Sequence, residues 1–168
     1  RRHYEGAAAE TLRRNLDESL HRLRTDHIDL YYVHVDDRTT PLTETLATLA
    51  EFVAAGKVRY VGWSNVRTWR LERIRQLAAA NGWPAPVAVQ QQHSYLRRRA
   101  GLVHTSIVDD EQLDYLREHD GLTLVAYSPI LKGTGVPMPS SVRRCSVVSG
   151  TSGNAPDRPA GPTSRKRP

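Results

Sequence analysis

Four apolar stretches of strand length begin near residues 28, 58, 87 and 122, and one helix-patterned segment separates each from the next. An interval of about 30 residues per unit leaves no room for tight hairpins and matches parallel strands joined by helical crossovers. The chain is therefore expected to be an α/β protein with a parallel sheet. Doubly wound sheets and (β/α)8 barrels both satisfy this spacing, and both place their chemistry at the C-terminal ends of the strands.

The helical segments support the same order. Leu12, Leu16, Leu20 and Leu23 recur at helical spacing within about 7 to 25. Thr40-Pro41 reads as a capping hydroxyl with proline at the first helical position, ahead of the stripe Leu42, Leu46, Leu49 and Val53, which Gly56 ends. A third helix is expected over about Thr68 to Asn81 and a fourth from Asp109-Asp110, with Leu113 and Leu116 inward. The strands are expected at Ile28 onward, Val58 to Trp63, Val87 to about Gln91, and Leu122 to Tyr127.

Composition narrows the function classes. The hydrophobic content of 39% and charged content of 25% are those of an ordinary soluble domain. No apolar run approaches the roughly 18 residues of a membrane span, and Arg-Arg-His-Tyr-Glu-Gly lacks the apolar segment of a signal peptide, so a cytoplasmic protein away from membranes is expected. The single cysteine, Cys145, has no partner for an internal disulfide, and no cysteine/histidine spacing suggests a metal site. Of the net charge of +6, residues 135–168 carry +5, so the body is nearly neutral and no nucleic-acid partner is expected. Those residues also hold six of the ten prolines and no sustained period. Residues 133–168 are accordingly expected to form a disordered basic tail, distinct from a folded region over 1–132.

The candidate site lies where the strands end. Ile28-Asp-Leu-Tyr-Tyr-Val stops at His34, the second strand at Ser64 and Asn65, the third at Gln90, and the fourth at Tyr127 and Ser128. Taken singly, each has a structural alternative: a hydrogen-bonded histidine, a helix-starting Ser-Asn, a polar strand edge at Gln90-Gln91-Gln92, a core tyrosine. Together they occupy corresponding positions of four consecutive units. His93, Tyr95 and Arg97 are either substrate-side or solvated loop residues.

Five stretches carry a family resemblance: Ile28-Asp-Leu-Tyr-Tyr-Val-His34, Pro41-Leu-Thr-Glu-Thr-Leu46, Gly56-Lys-Val-Arg-Tyr-Val-Gly-Trp-Ser-Asn65, Val87-Ala-Val-Gln90 and Leu124-Val-Ala-Tyr-Ser-Pro-Ile130. In this order and at these intervals the chain resembles the aldo-keto reductases over about Leu12 to Lys132. The resemblance implies a (β/α)8 TIM-barrel fragment of about four βα units and an NADPH-dependent reductase of aldehydes or ketones. It matches His34 to the histidine that hydrogen-bonds the substrate carbonyl. It matches Ser64, Asn65 and Gln90 to the side chains holding the nicotinamide carboxamide, Tyr127 to the aromatic stacked on that ring, and Ser128 to a residue near the pyrophosphate.

The family's acid tyrosine, its lysine and the paired aspartate come from strands that precede the first one read here. Tyr4 lies ahead of the first helix with no strand before it and is not assigned that role. The resemblance therefore leaves a second reading, a non-catalytic remnant or partner-binding half-barrel with self-association through open sheet edges. A Ser/His/Asp hydrolase is not supported, since no Gly-x-Ser-x-Gly elbow occurs.

Overall fold

The computed structural model describes residues 5–94, 101–102 and 104–130. Tyr4, Tyr95, Arg97 and the expected tail fall outside them. Its elements alternate as α1 (Ala9–Leu23), β1 (Ile28–Val33), α2 (Leu42–Ala54), β2 (Val58–Ser64), α3 (Thr68–Asn81), β3 (Ala88–Gln92), α4 (Asp110–Arg117) and β4 (Thr123–Tyr127). The four strands form one parallel sheet in the order β1-β2-β3-β4. Each helix joins or flanks neighbouring strands, as the recurring interval predicts.

The helices bury the stripes that their sequences carry. Leu12 and Leu16 of α1, Leu46 and Leu49 of α2, and Leu71 and Ile74 of α3 are 5% exposed or less and share one core with Val61, Trp63 and Val89 of the sheet. Removing one such leucine from water is worth about 2 kcal/mol, so this layer dominates stability. Three helix ends depart from expectation. Leu23 is 65% exposed, because α1 stops at Arg24, whose φ of 54° turns the chain toward β1. Phe52 rather than Val53 completes the buried stripe of α2. Thr40 caps nothing: Pro41 is the N-cap, and the Thr40 hydroxyl donates to Asp37 instead.

Asp37 organises the loop after β1. Its carboxylate accepts from the Ala7 and Thr39 amides and from the Thr39 and Thr40 hydroxyls, at 2.7–2.8 Å. Burial alone would push its pKa up, but these donors outweigh burial and hold the carboxyl well below the usual range. Beside it, Arg70 of α3 donates to Asp36 Oδ1 at 3.1 Å and to the Asp37 carbonyl at 3.0 Å. The Asp36 and Arg70 side chains are 4% and 11% exposed, so the loop leaving β1 is bolted to α3 and to the segment that leads into α1.

The register divides the sheet into two faces. One row runs Tyr32, Gly62, Ala88, Thr123, and the next runs Val33, Trp63, Val89, Leu124. The second row lies under the helices, and alternation puts the first on the opposite, inner face. There the Tyr32 ring lies over Gly62: a Cβ at Gly62 would meet Tyr32 Cε1 at 2.6 Å, so only glycine lets the ring lie flat.

Candidate functional site

Following the inner face upward leads to the C-terminal ends of all four strands. Ser64 and Gln90 are register partners, and Gln92 pairs with Tyr127, so alternation brings their side chains onto that one face. His34, directly after β1, continues the same alternation and is exposed.

Asn65 ties these ends together. Its Nδ2 donates to the His34 carbonyl at 2.7 Å and to Ser64 Oγ at 3.0 Å, and its Oδ1 accepts from the Tyr127 hydroxyl at 2.9 Å. Ser64, fully buried, donates to the Gln90 carbonyl at 2.9 Å, and the Asn65 amide reaches the same carbonyl at 3.2 Å. The tie thus spans β1, β2, β3 and β4. It requires Asn65 at φ 55°, a left-handed conformation that asparagine tolerates better than most residues. Ser-Asn is not a helix start here, since the N-cap of α3 is Arg67.

Two side chains in the set retain open hydrogen-bonding capacity. Among the described residues the His34 imidazole has no hydrogen-bond partner, and the Gln90 amide makes only a long 3.4 Å contact with Ser64 Oγ. A carboxamide placed at this mouth would find donors and an acceptor on Gln90. It would find Asn65 Oδ1 already engaged by Tyr127, a bond it must share or displace. These groups suit a nicotinamide end. Ser128 follows at φ 51°, half-buried, and joins none of these hydrogen bonds.

A second polar cluster escapes a reading from sequence. Gln91, 1% exposed, points to the helix side and donates through Nε2 to the carbonyls of Val66 and Thr105 and to Gln112 Oε1. Gln112, 2% exposed, is the buried residue of α4; Leu116, one turn further on, packs half-buried against the core as expected, while Leu113 is half-buried and not part of that cluster. The signal for Gln112 was its position three residues after Asp109, whose carboxylate caps α4 by accepting from the Gln112 amide at 2.9 Å. A cavity of about 160 Å³ beside them is lined in part by Arg67, His104 and Asp109. Among the described residues no group of His, Cys, Asp and Glu could hold a metal, and no helix is long and apolar enough to cross a membrane.

Comparison with known proteins gives this geometry a context. A model of the Aldo/keto reductase family matches residues 2–136. The chain is 34% identical over 124 residues to aflatoxin B1 aldehyde reductase member 2 of Mus musculus, covering 74% of this chain and 31% of that protein. It is 37% identical over 128 residues to the uncharacterized oxidoreductase YrpG of Bacillus subtilis, covering 76% of this chain and 36% of the relative. The fold superimposes with a TM-score of 0.62 and 28% identity on a crystal structure provisionally assigned as a 2,5-diketo-D-gluconic acid reductase B, over 77% of this chain and 41% of that one. The chain spans about a third of the length of the curated relatives it matches.

Proposed function

The chain belongs to the aldo/keto reductase family, and from that premise we propose that it serves the NADPH-dependent reduction of an aldehyde or ketone. The observation that carries the reading is the hydrogen-bonded set on one face at the strand ends, with Asn65 linking His34, Ser64 and Tyr127. NADPH supplies the hydride when bound. His34 donates a hydrogen bond to the substrate carbonyl and stabilises the oxyanion as charge develops. Ser64, Asn65 and Gln90 orient the carboxamide, so that one ring face is presented. Tyr127, freed from Asn65 Oδ1, would serve as the aromatic against the nicotinamide ring, and Ser128 would serve near the pyrophosphate. We assign these roles to residues within 1–132 and the cytoplasm as the working compartment.

Titrating NADPH into the full chain and following nicotinamide fluorescence tests this. Saturable binding is expected, weakened about tenfold by Gln90→Ala, the equivalent of one hydrogen bond. Absence of saturable binding by the unmodified chain at millimolar NADPH overturns the proposal.

A specific observation favours a second reading, binding without turnover. Among the described residues the one lysine is Lys57, which lies at the opposite end of β2 and pairs with Asp17 at 3.0 Å. No described lysine therefore stands at the strand ends to lower the pKa of an acid tyrosine, and general acid catalysis is worth about 10²- to 10⁴-fold. Following absorbance at 340 nm with a simple aldehyde separates the two. NADPH binding with no consumption selects the second reading.

A further inference from the structure

We infer that Arg70 is a positioning residue for His34: acting through the Asp36 carboxylate and the Asp37 carbonyl, it fixes the backbone that carries the imidazole at the strand ends. The inference rests on the role proposed for His34, although the placement it concerns is measurable without cofactor.

His34 needs such support because its own side chain supplies none. Among the described residues its imidazole has no hydrogen-bond partner, and the ladder to β2 ends one residue earlier, at the pair Val33 and Trp63. What holds the ring is therefore the chain on either side of it. At the His34 carbonyl, Asn65 Nδ2 donates at 2.7 Å. The next fixed point is Asp36, where Arg70 Nε donates to Oδ1 at 3.1 Å while Arg70 Nη2 donates to the Asp37 carbonyl at 3.0 Å. Asn65 and Arg70 belong to one segment, which runs from β2 into the first turn of α3, and Leu71 and Ile74 seat that helix in the core at 0% exposure. A shift at Asp36 reaches His34 across a single residue, Val35.

The placement of Arg70 runs against what would stabilise α3. Helix N-termini favour anions, yet the first turn of α3 carries Arg70 and no acid, whereas those of α1, α2 and α4 each carry at least one. An arginine is also seldom buried, and desolvation of a buried ion pair offsets much of its Coulomb gain. The gain lies in geometry. Two donors of one planar fork fix two successive residues at once, which the single ammonium of a lysine does not reproduce.

Asp36 has no equal alternative. Its Oδ2 is buried without a hydrogen bond, and the other nearby cation, Arg38, stays 3.5 Å away with its guanidinium over the exposed Trp69 ring. The Asp37 carboxylate meanwhile anchors the far side of the loop to Ala7, Thr39 and Thr40 without Arg70. Loss of Arg70 should thus displace residues 34–36 and leave the rest of the loop in place.

The test is the His34 ring signal in a carbon–proton spectrum of the full chain with labelled histidine, assigned by its disappearance in His34→Gln. Arg70→Lys and Asp36→Ala are each expected to shift or broaden that signal. Arg38→Ala should leave it in place, and the His21 and His27 signals should stay unchanged in all of these variants. An unmoved His34 signal in Arg70→Lys and Asp36→Ala, an equal shift in Arg38→Ala, or a shift of His21 and His27 alongside His34 overturns the inference. Asp36→Ala decides the matter where Arg70→Lys fails to fold. NADPH titration separates this from the cofactor reading: Arg70→Lys should change affinity by no more than about twofold, against about tenfold for Gln90→Ala. Where the unmodified chain consumes NADPH with an aldehyde, Arg70→Lys should lower kcat about 10²-fold at unchanged KM for NADPH, the cost of a misplacement of about 1 Å, and an unchanged kcat overturns the inference. Absence of NADPH binding by the unmodified chain sinks the cofactor reading, and the His34 signal, read without NADPH, still decides the placement.

Discussion

The two faces of the sheet are built from the same four strands on opposite principles. The helix-covered face carries Val33, Val61, Trp63 and Val89 at 3% exposure or less, a dry layer with one buried amide at Gln91. The inner face carries Tyr32, Tyr60, Ser64, Gln90 and Tyr127, and most of it is half-buried or exposed. Side chains on the first face are selected for volume, because a void there loses contacts that nothing replaces. Those on the second are selected for hydrogen-bonding groups held at fixed heights. One strand can serve both because neighbouring residues point opposite ways.

Breaking the covered face should have the largest effect. Trp63→Ala empties a fully packed position and is expected to cost about 4 kcal/mol, read as a fall in the urea midpoint. Gly62→Ala attacks the inner face from beneath, and the forced movement of Tyr32 should cost about 2 to 3 kcal/mol. Pairing it with Tyr32→Leu should recover part of the loss. Failure to recover any would put the clash on the Ala88 carbonyl, which the added Cβ meets at 3.1 Å.

Asp37 tests the loop that joins the faces. Asp37→Asn removes a carboxylate that accepts four hydrogen bonds and should cost about 2 kcal/mol at pH 7. The folded pKa lies below the unfolded value of about 3.9, so this contribution is fully present above about pH 4 and fades as the pH falls toward the folded pKa. The gap between wild type and variant should narrow in denaturation series run at progressively lower pH. A gap that stays constant would show that the Ala7 and threonine contacts do not depend on the charge.

Smaller effects belong to the site itself. Asn65→Gly keeps the left-handed turn, removes the amide, and should cost about 1 kcal/mol while weakening NADPH binding in the fluorescence titration. Tyr127→Phe removes one hydroxyl contact and should change stability by about 0.5 kcal/mol. If Tyr127→Phe costs more than Asn65→Gly, the tie is anchored at β4 rather than at Asn65.

The strand ends were readable because each apolar run stops abruptly, and four such stops one unit apart must converge on a parallel sheet. His34, Ser64, Gln90 and Tyr127 were located by that logic. The Asn65 tie was not readable, since it depends on a φ angle and on a tyrosine hydroxyl crossing over β3. Gln91 was hidden inside Gln90-Gln91-Gln92, where composition is uniform and only the register with Trp63 and Val89 assigns the middle residue to the covered face. Thr40 misled because a hydroxyl before a proline resembles a cap, while Asp37 competes for the same donor. Leu23 misled because spacing does not reveal where a helix stops.

Strand order has one more consequence, for the path by which the chain folds. Because β1, β2, β3 and β4 pair strictly in succession, each new strand needs only the one made just before it. A chain emerging at about 5–20 residues per second delivers one strand–helix unit every few seconds, far longer than a helix or a loop needs to form. The sheet can therefore grow from its N-terminal edge during synthesis, with each nascent strand captured by a template already in place.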